Sequence, residues 1–201
     1  MTSCSCMMKR RLAFLLPLGA ALLMTALPAA GAPAQGGTFL VALPASNLDS
    51  IDAALTGGPD QLLSTVCASL MRLPDKPLPD GFHPAPELAA DFPKISPDGK
   101  TYVFTIRRGL RFSTGAPVTA RDVAYTINRI LNPTLKSPST GLYEPIVGAD
   151  AVIAGKATGA SGIVATRDTL TIRLTHPVGD FVAGAASNLC VLPEGDRKSV
   201  V

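Results

Sequence analysis

The chain has 201 residues, with 18 Lys and Arg against 15 Asp and Glu and only 5% aromatics. Lys9, Arg10 and Arg11 supply the whole basic excess, so the remainder balances at 15 against 15. That balance, with no basic run interleaved with aromatics, excludes a nucleic-acid-binding surface and leaves a length suited to one domain with its own core.

The first 34 residues read as an export signal. Lys9-Arg10-Arg11 precede an apolar run over 12–27, broken by Pro17, and small residues follow as Ala32-Pro33-Ala34. This is the three-part pattern of a cleavable secretory peptide, with the mature chain starting near Gln35. A membrane anchor is the competing reading, and it is disfavoured because the uninterrupted core is shorter than the roughly 20 residues a spanning helix needs. Translation from Met7 or Met8 would leave Cys4 and Cys6 unread. No Cys stands where a lipid-anchored precursor would need one, so a soluble periplasmic form is expected.

Phe39-Leu40-Val41-Ala42-Leu43 is almost continuously apolar and suits a strand covered on both faces. A loop over 44–52 follows. Leu62, Leu63, Val66, Leu70 and Leu73 then recur close to helical spacing, predicting a helix over 60–73. The stretch 74–86 holds five prolines and a glycine, which forces a surface loop.

The most legible part runs over 101–133. Tyr102, Phe104 and Ile106 alternate with Thr101, Val103, Thr105 and Arg107, a strand with one more apolar face. Ser96-Pro97-Asp98-Gly99 before it is turn chemistry, as is Ser113-Thr114-Gly115-Ala116-Pro117 after it. Thr119 reads as a helix N-cap with Asp122 three residues on, where a carboxylate reaches back to the free amides of the first turn. Val123, Ile127, Ile130 and Leu131 form one stripe, and Asn132-Pro133 ends the helix.

Nothing in this stretch pairs a nucleophile with a base. Its residue order, Tyr102-x-Phe104-x-Ile106-Arg107-x-Gly109-Leu110-x-Phe112 followed by Gly115-x-Pro117-Val118-Thr119-Ala120-x-Asp122-Val123, closely resembles the hallmark segment of the family 5 extracellular solute-binding proteins. Thr114 stands where that family usually carries Asp or Asn. Ser50-Ile51-Asp52-Ala53 is similar to the family's Ser-Leu-Asp-Pro, with alanine for proline, and Pro86-Glu87-Leu88-Ala89 matches its Pro-acidic-Leu-Ala segment.

Downstream, a short helix is predicted over 149–154, closed by Gly155. The runs 162–166 and 169–174 flank Arg167-Asp168 as a hairpin. The stretch 170–181 again resembles the family, and 182–192 reads as a helix leading to a buried strand. Cys67 and Cys190 each sit among apolar neighbours, which predicts two buried free thiols, although export would permit a disulfide. His83 and His176 each precede proline, and no Cys/His cluster suggests a metal. The final Asp196-Arg197-Lys198-Ser199-Val200-Val201 matches one translated frame of a common sequencing adapter. A non-native tail over 196–201 is therefore expected, on an N-terminal fragment of a longer protein.

The resemblance implies an α/β fold of the two-lobed periplasmic-binding class. Its expected parts are a signal (1–34), the start of the ligand-binding lobe (35–55), a smaller α+β subdomain (56–168) and a truncated return to the lobe (169–195). It further implies a monomeric substrate-binding subunit of an ABC importer, with no cofactor and no catalysis, that captures di- or oligopeptides and delivers them to an inner-membrane permease. Relatives also take nickel complexes, opines or sugars, so the solute stays open. The ligand contacts it implies are Ala45, Ser46 and Asn47 in the loop after the first strand, and Tyr143. Two other classes stay in view: a hydrolase, for which His83 and His176 lie in no motif with Ser or Cys, and a chaperone-like envelope protein without a saturable small ligand.

Overall fold

The computed structural model describes residues 40, 52–55 and 66–196. The chain divides into two units, Met1–Ala42 and Leu43–Val201. Of the first only Leu40, an exposed residue, is described. The signal segment, most of the strand over 39–43, the first six residues of the predicted helix over 60–73 and nearly all of the 196–201 tail lie outside the described residues.

The second unit is built on two antiparallel sheets. Strands β1 (Met71–Arg72) and β2 (Ala85–Pro86) form a two-stranded ribbon. Strands β3 (Lys94–Ile95), β4 (Thr101–Thr105), β5 (Ile163–Ala165) and β6 (Thr169–Arg173) form a four-stranded sheet in the order β3-β4-β6-β5. Helix α1 (Ala120–Leu131) packs over β5 and β6 and against the short helix α2 (Ala149–Ile153). β6 pairs with both β4 and β5, so this sheet runs past residue 168.

The period-2 reading of β4 holds. Tyr102, Phe104 and Ile106 are buried, while Thr105 and Arg107 face solvent. The entry turn works through side chains as well as backbone: Asp98 accepts from the Ser96 hydroxyl and the Lys100 amide, and Gly99 takes the left-handed conformation that closes the turn. The 167–168 hairpin is equally direct, joining β5 to β6 with Ala165 opposite Leu170 and Ile163 opposite Ile172; on its other side β6 pairs with β4 from Thr101–Arg173 to Thr105–Thr169.

Helix α1 starts and stops as its sequence requires. Asp122 Oδ2 accepts from the Thr119 amide and the Thr119 hydroxyl, each at 2.7 Å. The stripe Val123, Ile127, Ile130 and Leu131 is buried to 4% exposure or less. Asn132 turns extended ahead of Pro133. Ile127 and Phe104 share one core that extends from Ala54 to Val191.

Three expectations are corrected. Helix 60–73 does not reach its expected end: residues 67–70 are not helical, and Met71–Arg72 is a strand. The ladder to Ala85–Pro86 and the bond from the Ser69 amide to Glu87 Oε2 at 2.7 Å pull the chain out of helical geometry. The segment 182–192 is turns and a bend over 182–188 and irregular chain over 189–192, rather than a helix and strand. Its side chains compete for its own carbonyls, Ser187 Oγ donating to Val182 and Asn188 Nδ2 to Gly184. Finally, Cys67 and Cys190 are joined in a disulfide, with Cα atoms 5.0 Å apart. Their apolar neighbours reflect the burial around this bridge, which local sequence cannot separate from the burial of two free thiols.

The disulfide spans 123 residues. Backbone bonds from Val191 to Ala68 and from Met71 to Ala186, both 3.1 Å, reinforce the same junction. Closing a loop of this length in the unfolded chain is worth roughly 4–5 kcal/mol in the chain-entropy model. Cys190→Ser should therefore lower the unfolding free energy by about that amount in urea titrations under oxidising conditions. A loss below about 1 kcal/mol would show that the bridge hardly restricts the unfolded chain.

Candidate functional site

Asp52, five residues after Asn47 of the proposed ligand loop, is locked. Its side chain is 1% exposed and that of Arg129, on α1, is 9% exposed. Arg129 Nη1 donates to Asp52 Oδ1 at 2.9 Å, and Nη2 donates to Oδ2. The planar guanidinium fork matches the two carboxylate oxygens, which is why arginine rather than lysine suits the position. Asp52 Oδ1 also accepts the Ala54 amide at 3.1 Å, bending the chain into the turn over 52–55. The hydrogen bonds to Asp52 hold the Arg129 guanidinium above its ordinary pKa despite its burial.

Helix α1 thus has two tasks. Its apolar stripe covers the sheet, and its polar residues hold distant chain segments. Arg129 grips Asp52, while Asp122 Oδ1 accepts the Glu194 amide at 2.8 Å and Thr126 Oγ1 accepts the Leu192 amide at 3.0 Å. The Tyr125 hydroxyl donates to the Asp196 carbonyl at 2.7 Å. Segments before and after the sheet are therefore anchored on one helix.

Ala45, Ser46 and Asn47 lie outside the described residues. Tyr143 does not share an open site with anything. It is 1% exposed, its hydroxyl donates to the Ala185 carbonyl at 3.0 Å, and burial raises its pKa. As a core residue it fixes the 3₁₀ turn Thr140–Leu142 against the turns over 181–186. His83 is exposed, and His176 Nδ1 meets only the Thr175 hydroxyl, at 3.0 Å. Among the described residues no group of three or more His, Cys, Asp or Glu could hold a metal.

The sequence reading missed Arg129 as the partner of Asp52. The available signal was Arg129, one of two arginines on α1, together with the acidic residue of the Ser-Ile-Asp-Ala stretch. A separation of 77 residues left no spacing rule to join them.

The family model for the middle of "Bacterial extracellular solute-binding proteins, family 5" matches residues 83–199, more than half the chain. The chain belongs to this family. Among curated relatives, the "Probable deoxycholate-binding periplasmic protein YgiS" of Escherichia coli is 40% identical over 92 residues, covering 44% of this chain and 17% of the relative. The "Dipeptide-binding protein DppE" of Bacillus subtilis is 36% identical over 116 residues, covering 57% of this chain and 21% of the relative. The solved structure "Listeria monocytogenes OppA bound to peptide" is 28% identical with a TM-score of 0.62, over 72% of this chain and 28% of that one. The chain thus spans about a fifth of the length of these curated relatives. The fold described is the matching α/β portion of a two-lobed solute-binding protein. The family and the relatives named here are binding proteins rather than enzymes.

Proposed function

We propose that this chain is part of the substrate-binding subunit of an ABC importer that captures di- or oligopeptides in the periplasm and delivers them to an inner-membrane permease. The observation that carries this is family membership together with resemblance to DppE and to a peptide-bound OppA over one continuous α/β unit. The ligand would lie against the loop of Ala45, Ser46 and Asn47. The Asp52–Arg129 pair anchors the chain just after that loop, and Tyr143 packs the core beneath the junction.

In such a receptor two lobes close over an extended peptide, and one wall alone leaves both the buried area and the charge pairing open to water. The 201-residue chain should therefore bind a mixed peptide library weakly. A chain extended to the length of its relatives should bind in the micromolar range or better, about −8 kcal/mol. Calorimetry on both decides the matter, and tight saturable binding by residues 35–195 alone would falsify the two-lobed reading. YgiS favours a second reading in which the solute is not a peptide, so deoxycholate belongs in the same titration. Deoxycholate binding without peptide binding would transfer the proposal to that solute class.

The proposed location rests on the 1–34 signal pattern. A reporter fused to residues 1–40 should cross the inner membrane and lose the signal near Gln35. Retention of the reporter in the cytoplasm would overturn it.

A further inference from the structure

Arg107, Arg108 and Arg111 are joined in space by Arg167 at one end of the four-stranded sheet. β4 ends opposite the start of β6 through the Thr105–Thr169 pair, which brings the 107–118 loop beside the 167–168 hairpin. Two backbone bonds fix this arrangement: the Ile106 amide donates to the Asp168 carbonyl at 2.7 Å, and the Ala120 amide to the Arg167 carbonyl at 3.0 Å. Between the two segments lies an open cleft of about 400 Å³ whose lining includes Arg107, Arg108, Arg111, Arg167, Asp168 and Thr119.

Four arginines and one aspartate line it. Asp168 is engaged by Arg108 Nε at 3.2 Å, and Arg111 Nη1 donates to the Gly115 carbonyl at 2.8 Å. Among the described residues the side chains of Arg107 and Arg167 make no hydrogen bond or ion pair, and both residues are exposed. Like charges held together on a backbone-fixed frame repel one another, and an anion relieves that repulsion without reorganising the frame. A surplus of three positive charges exceeds what one carboxylate ligand neutralises. A phosphate group, with close to two charges and several acceptor oxygens, can take forked bonds from more than one arginine.

We propose that this cleft is an anion site that takes a phosphate group, with Arg107 and Arg167 as its free forks. The group could be a free phosphate or the headgroup of an anionic lipid, and the two sources separate experimentally. With the 201-residue chain, inorganic phosphate is titrated at constant ionic strength while the arginine Nε–H resonances are followed by NMR. Co-sedimentation is measured in parallel with phosphatidylglycerol vesicles and with phosphatidylcholine vesicles.

Saturable shifts of Arg107 and Arg167 with phosphate support a free-ion site. Selective sedimentation with phosphatidylglycerol that is lost in R107E/R167E supports the lipid source. In either case R107K/R167K should bind severalfold more weakly, because lysine keeps the charge and loses the fork. R107Q/R167Q, which introduces no new charge, serves if the glutamate pair unfolds. Shifts reproduced by chloride at the same ionic strength, unchanged affinity in the lysine pair, or no response to phosphate and no preference between vesicles would each overturn the proposal.

Discussion

Asp52→Ala should lower the unfolding free energy by about 3–5 kcal/mol, because it leaves the nine-tenths-buried Arg129 side chain charged and unpaired. Domains of this size are held by roughly 5–15 kcal/mol, so one such loss takes the unit close to unfolding at room temperature. The cost comes from stranding a charge rather than from the intrinsic worth of the pair. Replacing both partners with apolar residues, as in Asp52→Leu with Arg129→Met, should therefore recover most of the stability. Urea titration of wild type, the single variant and the double variant separates these outcomes. A double variant as unstable as Asp52→Ala would mean that the turn over 52–55, rather than the charge, is what Asp52 maintains.

Ile127→Asp should be at least as damaging, costing several kcal/mol, because it puts a carboxylate with no partner at a position 1% exposed in the middle of the α1 stripe. Burial there opposes ionisation, so the variant should be less unstable at low pH, where the carboxyl is neutral, and should weaken further as pH rises. Thr119→Ala makes the contrast. It removes one hydroxyl that donates to Asp122 and leaves the Thr119 amide bonded to the same carboxylate, so about 1 kcal/mol is expected. Thermal unfolding of both variants checks the ranking, and equal small losses would mean that α1 does not bury this face.

The elements that sequence alone determined are those whose information is local. The alternation of Tyr102, Phe104 and Ile106 requires a strand with one buried face whatever lies opposite. The spacing of Val123, Ile127, Ile130 and Leu131 requires a helix with one apolar side, and Thr119 and Asn132-Pro133 mark its ends within a residue. The turn at Asp98-Gly99 and the hairpin at Arg167-Asp168 are equally self-contained. The same run of residues carried the family, since a pattern spread over some twenty positions survives where no single residue has chemistry of its own.

What only the tertiary structure decided are partnerships across long stretches of chain. Asp52 and Arg129 stand 77 residues apart and Cys67 and Cys190 stand 123 apart, and no periodicity links such positions. Residues 182–192 have the composition of a helix, but their serine and asparagine side chains bond to nearby carbonyls and the chain runs as turns and then irregular structure. The family resemblance implied Tyr143 as a ligand contact. The Ala185 carbonyl, 42 residues away, makes it a core residue. The arginines of the 107–111 run and Arg167 form one patch only because β4 and β6 pair in a register that sets Thr105 against Thr169. Local periodicity fixes which side of an element is apolar, whereas the partner of a buried charge, thiol or hydroxyl depends on which distant segment the closed chain brings within bonding distance.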